Sequence, residues 1–218
     1  MLGRLLQLSS ANLPVGAFAY SEGLETLVVQ GVVQTAKDLQ QWLVDALEYG
    51  SIRVDTAVLR RQMAAVAAND RDRFQYWDAW LGASRESEEM RAQSHHMGRA
   101  LQRLYREMSD DETPLFAGSA SHFVSGYAQV AVAWHLPVTA TLYAYVHSWA
   151  ANLITAGVRL IPLGQSDGQR ILWLLQERIE AVLSYAETAA DEALCAWNFG
   201  QALASMSHET LYSRLYRS

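Results

Sequence analysis

Residues 138–161 read VTATLYAYVHSWAANLITAGVRLI and are framed by Pro137 and Pro162. Arg159 is the only charge among them, and no Asp, Glu, Lys or Arg occurs over the 46 residues from Thr113 to Val158. A helix that is apolar all round is either a membrane span or the inner helix of a bundle. At about 1.5 Å per residue, this one is long enough to cross a bilayer. The residues argue for a buried soluble helix instead. Thr139, Thr141, His147, Ser148, Asn152 and Thr155 interrupt it, alanine outnumbers leucine, and no basic cluster flanks one end to set an orientation. The stretch predicts an all-α fold with Val138–Ile161 buried at its centre, so that Ala151 and Leu153 are both interior.

The segments on either side read as amphipathic helices, about ten helices in all. Leu2–Leu8 is a short apolar helical turn. Ser9–Glu25 (SSANLPVGAFAYSEGLE) is a loop interrupted by Pro14 and Gly16, apolar enough to be tucked in or held by a partner. A helix over about Ser21–Gln30 stops at Gly31. Thr35 and Asp38 have capping-box spacing ahead of Leu39, Leu43 and Leu47. Gly50 ends that helix, Ser51 opens the next, and Asn69–Asp70 cap the one holding Phe74, Trp77 and Leu81. Arg85–Met108 is the most polar helix, with a solvated charged face and a stripe of Met90, Met97, Leu101 and Leu104. Ser109–Pro114 is an acidic surface loop, and a helix from about Ser121 to His135 precedes the central one. After it, Ser166 and Gln169 suggest a second capping box, then come a helix through Ile171–Leu183 and a last long helix over about Glu187–Met206. No sustained alternation, fixed-period repeat or linker appears, so residues 1–218 read as a single helical domain.

Half of the 218 residues are hydrophobic, 18% are charged, and the net charge is −6. One lysine, Lys37, stands against sixteen arginines, with no basic run. That composition argues against nucleic acid or an anionic membrane as partner. The single cysteine, Cys195, lies in the apolar run EALCAW and reads as a small core residue in a reducing compartment. The N-terminal residues carry no signal-peptide pattern, which points to the cytoplasm.

No catalytic or metal constellation emerges. The P-loop, GxSxG and GxGxxG patterns are absent. No Glu stands three residues before any of the six histidines, as a helical di-iron site requires. Adjacent His95 and His96 point about 100° apart on a helix and do not face one ion, and His147 reads as a core histidine. Two features remain. Arg159 closes the apolar helix, either as a cap at the negative end of the helix dipole or as a base presented to an acidic partner or a nucleotide. The tail holds Tyr212, Arg214, Leu215, Tyr216 and Arg217, residue types enriched at the energetic centres of interfaces. A terminal segment of this kind is expected to contribute little to the domain's own stability.

Three motifs, LPVGAFAYSEGLE near the start, VRLIPLGQSDGQR at 158–170 and HETLYSRLYRS at the end, resemble the UreF family of urease accessory proteins in order and spacing. Ala17 and Ala19 stand where that family usually shows Gly and Ser. The resemblance implies an all-α homodimer without enzyme activity of its own, and from the residues no metal site or cofactor is expected. It implies assembly with UreD (also called UreH) and the GTPase UreG, and regulation of GTP-dependent nickel delivery to apo-urease. On it, the partner-binding residues are expected to be Tyr20, Ser21, Glu25, Arg159, Tyr212, Arg214, Tyr216 and Arg217. The alternative is a helical enzyme or cofactor-binding protein of heme-oxygenase-like architecture, which visible absorption would distinguish.

Overall fold

The computed structural model describes residues 1–108, 116 and 122–218. Among them are eleven α-helices and no strand: α1 Leu2–Leu8, α2 Leu24–Val29, α3 Ala36–Tyr49, α4 Ser51–Ala67, α5 Arg71–Ala83, α6 Glu88–Met108, α7 Phe123–Ala133, α8 Val138–Leu160, α9 Gln165–Leu174, α10 Gln176–Thr188 and α11 Phe199–His208. The acidic loop expected at Ser109–Pro114 lies outside the described residues.

Several boundaries follow local chemistry. Thr35 Oγ1 accepts from Asp38 N at 3.2 Å while Asp38 Oδ2 accepts from Thr35 N at 2.9 Å, the expected reciprocal cap on α3. The cap on α9 is displaced from the expected Ser166–Gln169. Asp167 Oδ2 accepts from Gly164 N at 3.0 Å, so one half of a box forms. The long helix expected over Glu187–Met206 is broken. Arg61 reaches from α4, donating Nε–H to Asp191 Oδ1 and Nη2–H to the Ala189 carbonyl, each at 2.6 Å, and holds the chain off the α-helical path, with only a 3-10 turn at Asp191–Ala193. Asn198 then caps α11, its Oδ1 accepting from Gln201 N at 3.0 Å. Cys195 lies on that irregular path and is exposed rather than in the core.

α4 is more completely buried than α8, although α1, α2, α3, α4, α9 and α10 all pack on α8. Eleven of the 17 residues of α4 are buried, including Asp55, Thr56, Arg61 and Gln62, and α3, α5, α7, α8 and α10 all pack on it. Ten of the 23 residues of α8 are buried. Leu153 is 1% exposed, as expected for an interior residue. Ala140, Tyr143, His147 and Ala151 are only half-buried, and Thr139, Thr155 and Arg159 are exposed. The sequence of α8, uncharged but for Arg159, therefore covers one buried face and one lightly polar outer face. Most polar side chains buried on α4 are answered, although Gln62 Oε1 meets no donor among the described residues. Gln62 Nε2 donates to Ser125 Oγ at 2.6 Å, and Ser125 Oγ in turn donates to Asp78 Oδ1 at 2.6 Å. No described helix is long and apolar enough to cross a membrane.

Candidate functional site

The first and last motifs meet. Glu22 (φ 54°) and Gly23 (φ 85°) are both left-handed, which turns the loop sharply into α2. Gly23 suits that backbone, and a Cβ there would stand 2.8 Å from Ser205 N on α11. The turn thus seats α2 directly against α11, and the chain's last residues run back across the pair.

Glu25 is the centre of this seat. Its carboxylate accepts from Leu215 N at 2.7 Å and Tyr216 N at 3.0 Å, with His208 Nε2 at 3.0 Å. The other ring nitrogen of His208 lies 2.7 Å from Glu89 Oε2, and Glu89 Oε1 accepts from Arg214 Nη1 at 2.6 Å. Burial works to raise the Glu25 pKa. The bond to His208 and the two backbone N–H donors outweigh it and hold that carboxyl below the usual range. Ser21 donates both N–H and Oγ–H to the Ser218 carbonyl, at 2.7 and 2.6 Å. Arg217 N donates to Ala19 O at 2.8 Å, and Ser218 Oγ donates to Gln93 Oε1 at 2.7 Å.

Of the eight residues expected at the site, seven converge here. Tyr20 is buried, its hydroxyl 3.4 Å from His96 Nδ1. Ser21, Glu25 and Tyr216 are buried as well. Arg159 is exposed in the last turn of α8, close enough to oppose the rise that burial imposes on the Tyr216 phenol, although no well-formed hydrogen bond joins them. The side chains of Arg214 and Arg217 are exposed at the rim. Tyr212 projects fully into solvent. The tail is therefore part of the fold, against the expectation that it contributes little to stability.

Behind the seat lies a cleft of about 830 Å³, open solvent at its mouth included, between the Ser10–Ala17 loop, α4, α6 and α8. Its wall carries three ionisable side chains, Glu22, Asp55 and Arg85. Glu22 accepts from Gln93 Nε2 and Trp149 Nε1, each at 2.9 Å. Asp55 pairs with Arg85 at 3.0 Å and lies 3.5 Å from the Tyr145 hydroxyl. Burial raises the Glu22 and Asp55 carboxyls, the latter in spite of Arg85. Sequence reading missed this group because Arg85 stood only as the start of the most polar segment, and its partner Asp55 lies 30 residues away; Arg85 is 8% exposed. It also passed over His208 and Glu22, although both sit inside the quoted motifs.

Among the described residues, no three His, Cys, Asp or Glu side chains are grouped to hold a metal ion. His147 is half-buried and stacks on Tyr143 with ring centroids 6.1 Å apart, rather than lying in the core. His122 is buried, and burial followed by the charge of Arg85 lowers its pKa to about 4.

An outward apolar row lies next to the seat. Phe199, Leu203 and Met206 follow i, i+4, i+7 spacing on α11 and are 68%, 64% and 46% exposed, with Trp197 beside them at 60%. A row of this kind marks an interaction surface. Fold and site together define an all-helical protein with its tail locked to its own N-terminal loop and an apolar face left open beside the lock. The UreF sequence profile matches residues 33–176. Urease accessory protein UreF of Microcystis aeruginosa is 47% identical over 216 residues, covering 98% of this chain and 96% of that protein. UreF of a Nostoc species is 44% identical over 216 residues, covering 98% and 94%, and that of Alkalilimnicola ehrlichii is 37% identical over 216 residues, covering 99% and 95%. The chain belongs to the UreF family of urease accessory proteins.

Proposed function

We propose that this chain serves urease maturation as a non-enzymatic adapter. It assembles, as one domain in a homodimer, with a UreD/UreH-type protein and a UreG-type GTPase. In that complex it regulates GTP-dependent delivery of nickel to apo-urease in the cytoplasm. The observation that carries this reading is the convergence of the two outer motifs into one locked corner beside the open apolar row of α11. Tyr212, Arg214 and Arg217 on its rim, with Leu215 69% exposed, supply the aromatic, arginine and apolar anchors that energetic centres of interfaces favour. Tyr20, Ser21, Glu25 and Tyr216 act from beneath, by holding that rim in place. Arg159 stands at the end of the outer face of α8. That face, with Ala140, Tyr143, His147 and Ala151 half-buried and uncharged, suits the contact between two copies.

The test compares wild-type chain with Tyr212→Ala and Leu203→Asp in pull-down of UreD-type and UreG-type partners, alongside melting temperature. Partner capture is expected to fall by about tenfold or more for a hot-spot residue, with the melting point unchanged. Full capture by both variants would sink the assignment of this surface. Light scattering at the mass of one 24.3 kDa chain, at micromolar concentration and above, would sink the homodimer.

A further inference from the structure

The cleft behind the tail's seat has the make-up of a small-molecule site. Such sites are mostly apolar, carry a few placed polar groups and enclose about 300–1,000 Å³. Tyr145, Trp149 and Asn152 recur at helical spacing and turn one face of α8 to the cleft. Asn152 Nδ2 donates to Ala17 O at 2.9 Å and ties the Ser10–Ala17 loop to that helix. The loop adds Leu13 and Val15, α6 adds Met90 and Met97, and Phe123 enters from the start of α7.

The polar end of the cleft carries more acid than base. Glu22 and Asp55 are each 8% exposed, and they share the lining with a single cation, Arg85. Arg85 is already paired with Asp55. Glu22 is hydrogen-bonded by two neutral donors, Gln93 and Trp149, and Asp55 stands close enough to oppose its ionisation. A buried carboxyl that lacks a cation holds a proton instead. A ligand that brings a cation takes that proton's place. Asp55 also has an oxygen to spare. The Arg85 and Tyr145 groups that approach it both meet Oδ2, and no described residue donates a hydrogen bond to Oδ1. Aromatic rings attract organic cations at their faces. Phe123 and Tyr145, with ring centroids 6.0 Å apart, supply two such rings within the lining, and Trp149 a third.

We propose that this cleft binds a small organic cation, an amidinium or ammonium on an aryl or alkyl body. Its charged head lies between Glu22 and Asp55 Oδ1, and its apolar body lies against Val15, Met97 and Phe123. This reading goes beyond the assembly role and does not rest on it.

The test uses the full chain with carbon-13 in its methionine methyl groups. At neutral pH it is titrated with benzamidine and with the neutral and anionic counterparts benzamide and benzoate. Benzamidine should shift the Met90 and Met97 resonances saturably and bind about tenfold or more tighter than either counterpart. Glu22→Gln keeps the side chain's shape but cannot become an anion. It should weaken benzamidine about tenfold and leave benzamide unchanged. No saturable shift at Met90 and Met97 overturns the proposal, as do shifts confined to the exposed Met1, Met108 and Met206, or equal binding of the three probes. So does a Glu22→Gln chain of wild-type circular dichroism that binds benzamidine with wild-type affinity. If that variant does not fold, the ranking of the three probes on the wild-type chain decides.

Discussion

Glu22 and Glu25 are three residues apart, both buried, and their carboxyls titrate in opposite directions. Both lose water. Glu22 receives two neutral side-chain donors, Gln93 and Trp149, and faces a second carboxylate at Asp55, so burial prevails and its pKa rises. Glu25 receives two backbone N–H groups and an imidazole, which together outweigh burial. The sharp left-handed turn at Glu22–Gly23 separates the two, sending one carboxyl toward the cleft and the other toward the tail. Burial alone therefore does not set the charge of a side chain; the number and kind of donors that meet it do.

The largest expected effect is on the cleft side. Arg85→Ala leaves Asp55 buried and unpaired, and should cost about 3–5 kcal/mol, read as a lowered midpoint in denaturant. A loss within about 0.5 kcal/mol would mean that Asp55 is already neutral there or reached by water.

The two glutamates supply the sharper contrast. Glu25→Gln removes the anion that three donors hold and should cost about 1–3 kcal/mol at neutral pH. Glu22→Gln replaces a carboxyl that resists ionisation, and should be neutral or stabilising by about 1 kcal/mol. The signs in pH differ accordingly. With its pKa lowered on folding, Glu25 contributes stability above the unfolded-state value that is lost as pH falls through the folded one. With its pKa raised, Glu22 contributes stability at low pH that is lost as pH rises from the unfolded-state value through the folded one. Denaturation midpoints across pH should show Glu25→Gln flattening the acid limb and Glu22→Gln steepening it. The same direction of change in both variants would break the comparison.

The smallest effect is expected of Tyr216→Phe. Its ring fills a buried pocket and its hydroxyl forms no well-made hydrogen bond, so the melting point should stay within the change equivalent to about 0.5 kcal/mol. A loss above about 1 kcal/mol would show that Arg159 or water holds the phenol.

What the sequence determined by itself was the helical class and most helix starts. Helical period, glycine stops and caps such as Thr35–Asp38 are local, and they act through residues a few positions apart. The outer motifs were legible for the same reason, and with them most of the site. Tertiary structure decided which helix is the more completely buried. Uncharged but for Arg159, α8 keeps an outer face, while α4 buries Asp55, Arg61 and Gln62, because Arg85, Asp191 and Ser125 reach them from 30, 130 and 63 residues away. It also broke the expected last helix, through Arg61, and folded the tail back onto Glu25 and Ser21, whose bonds span 191 and 197 residues. Hydrophobic pattern records what a segment is able to bury. Whether a charge is buried depends on its distant partner, and only the folded chain brings that partner to it.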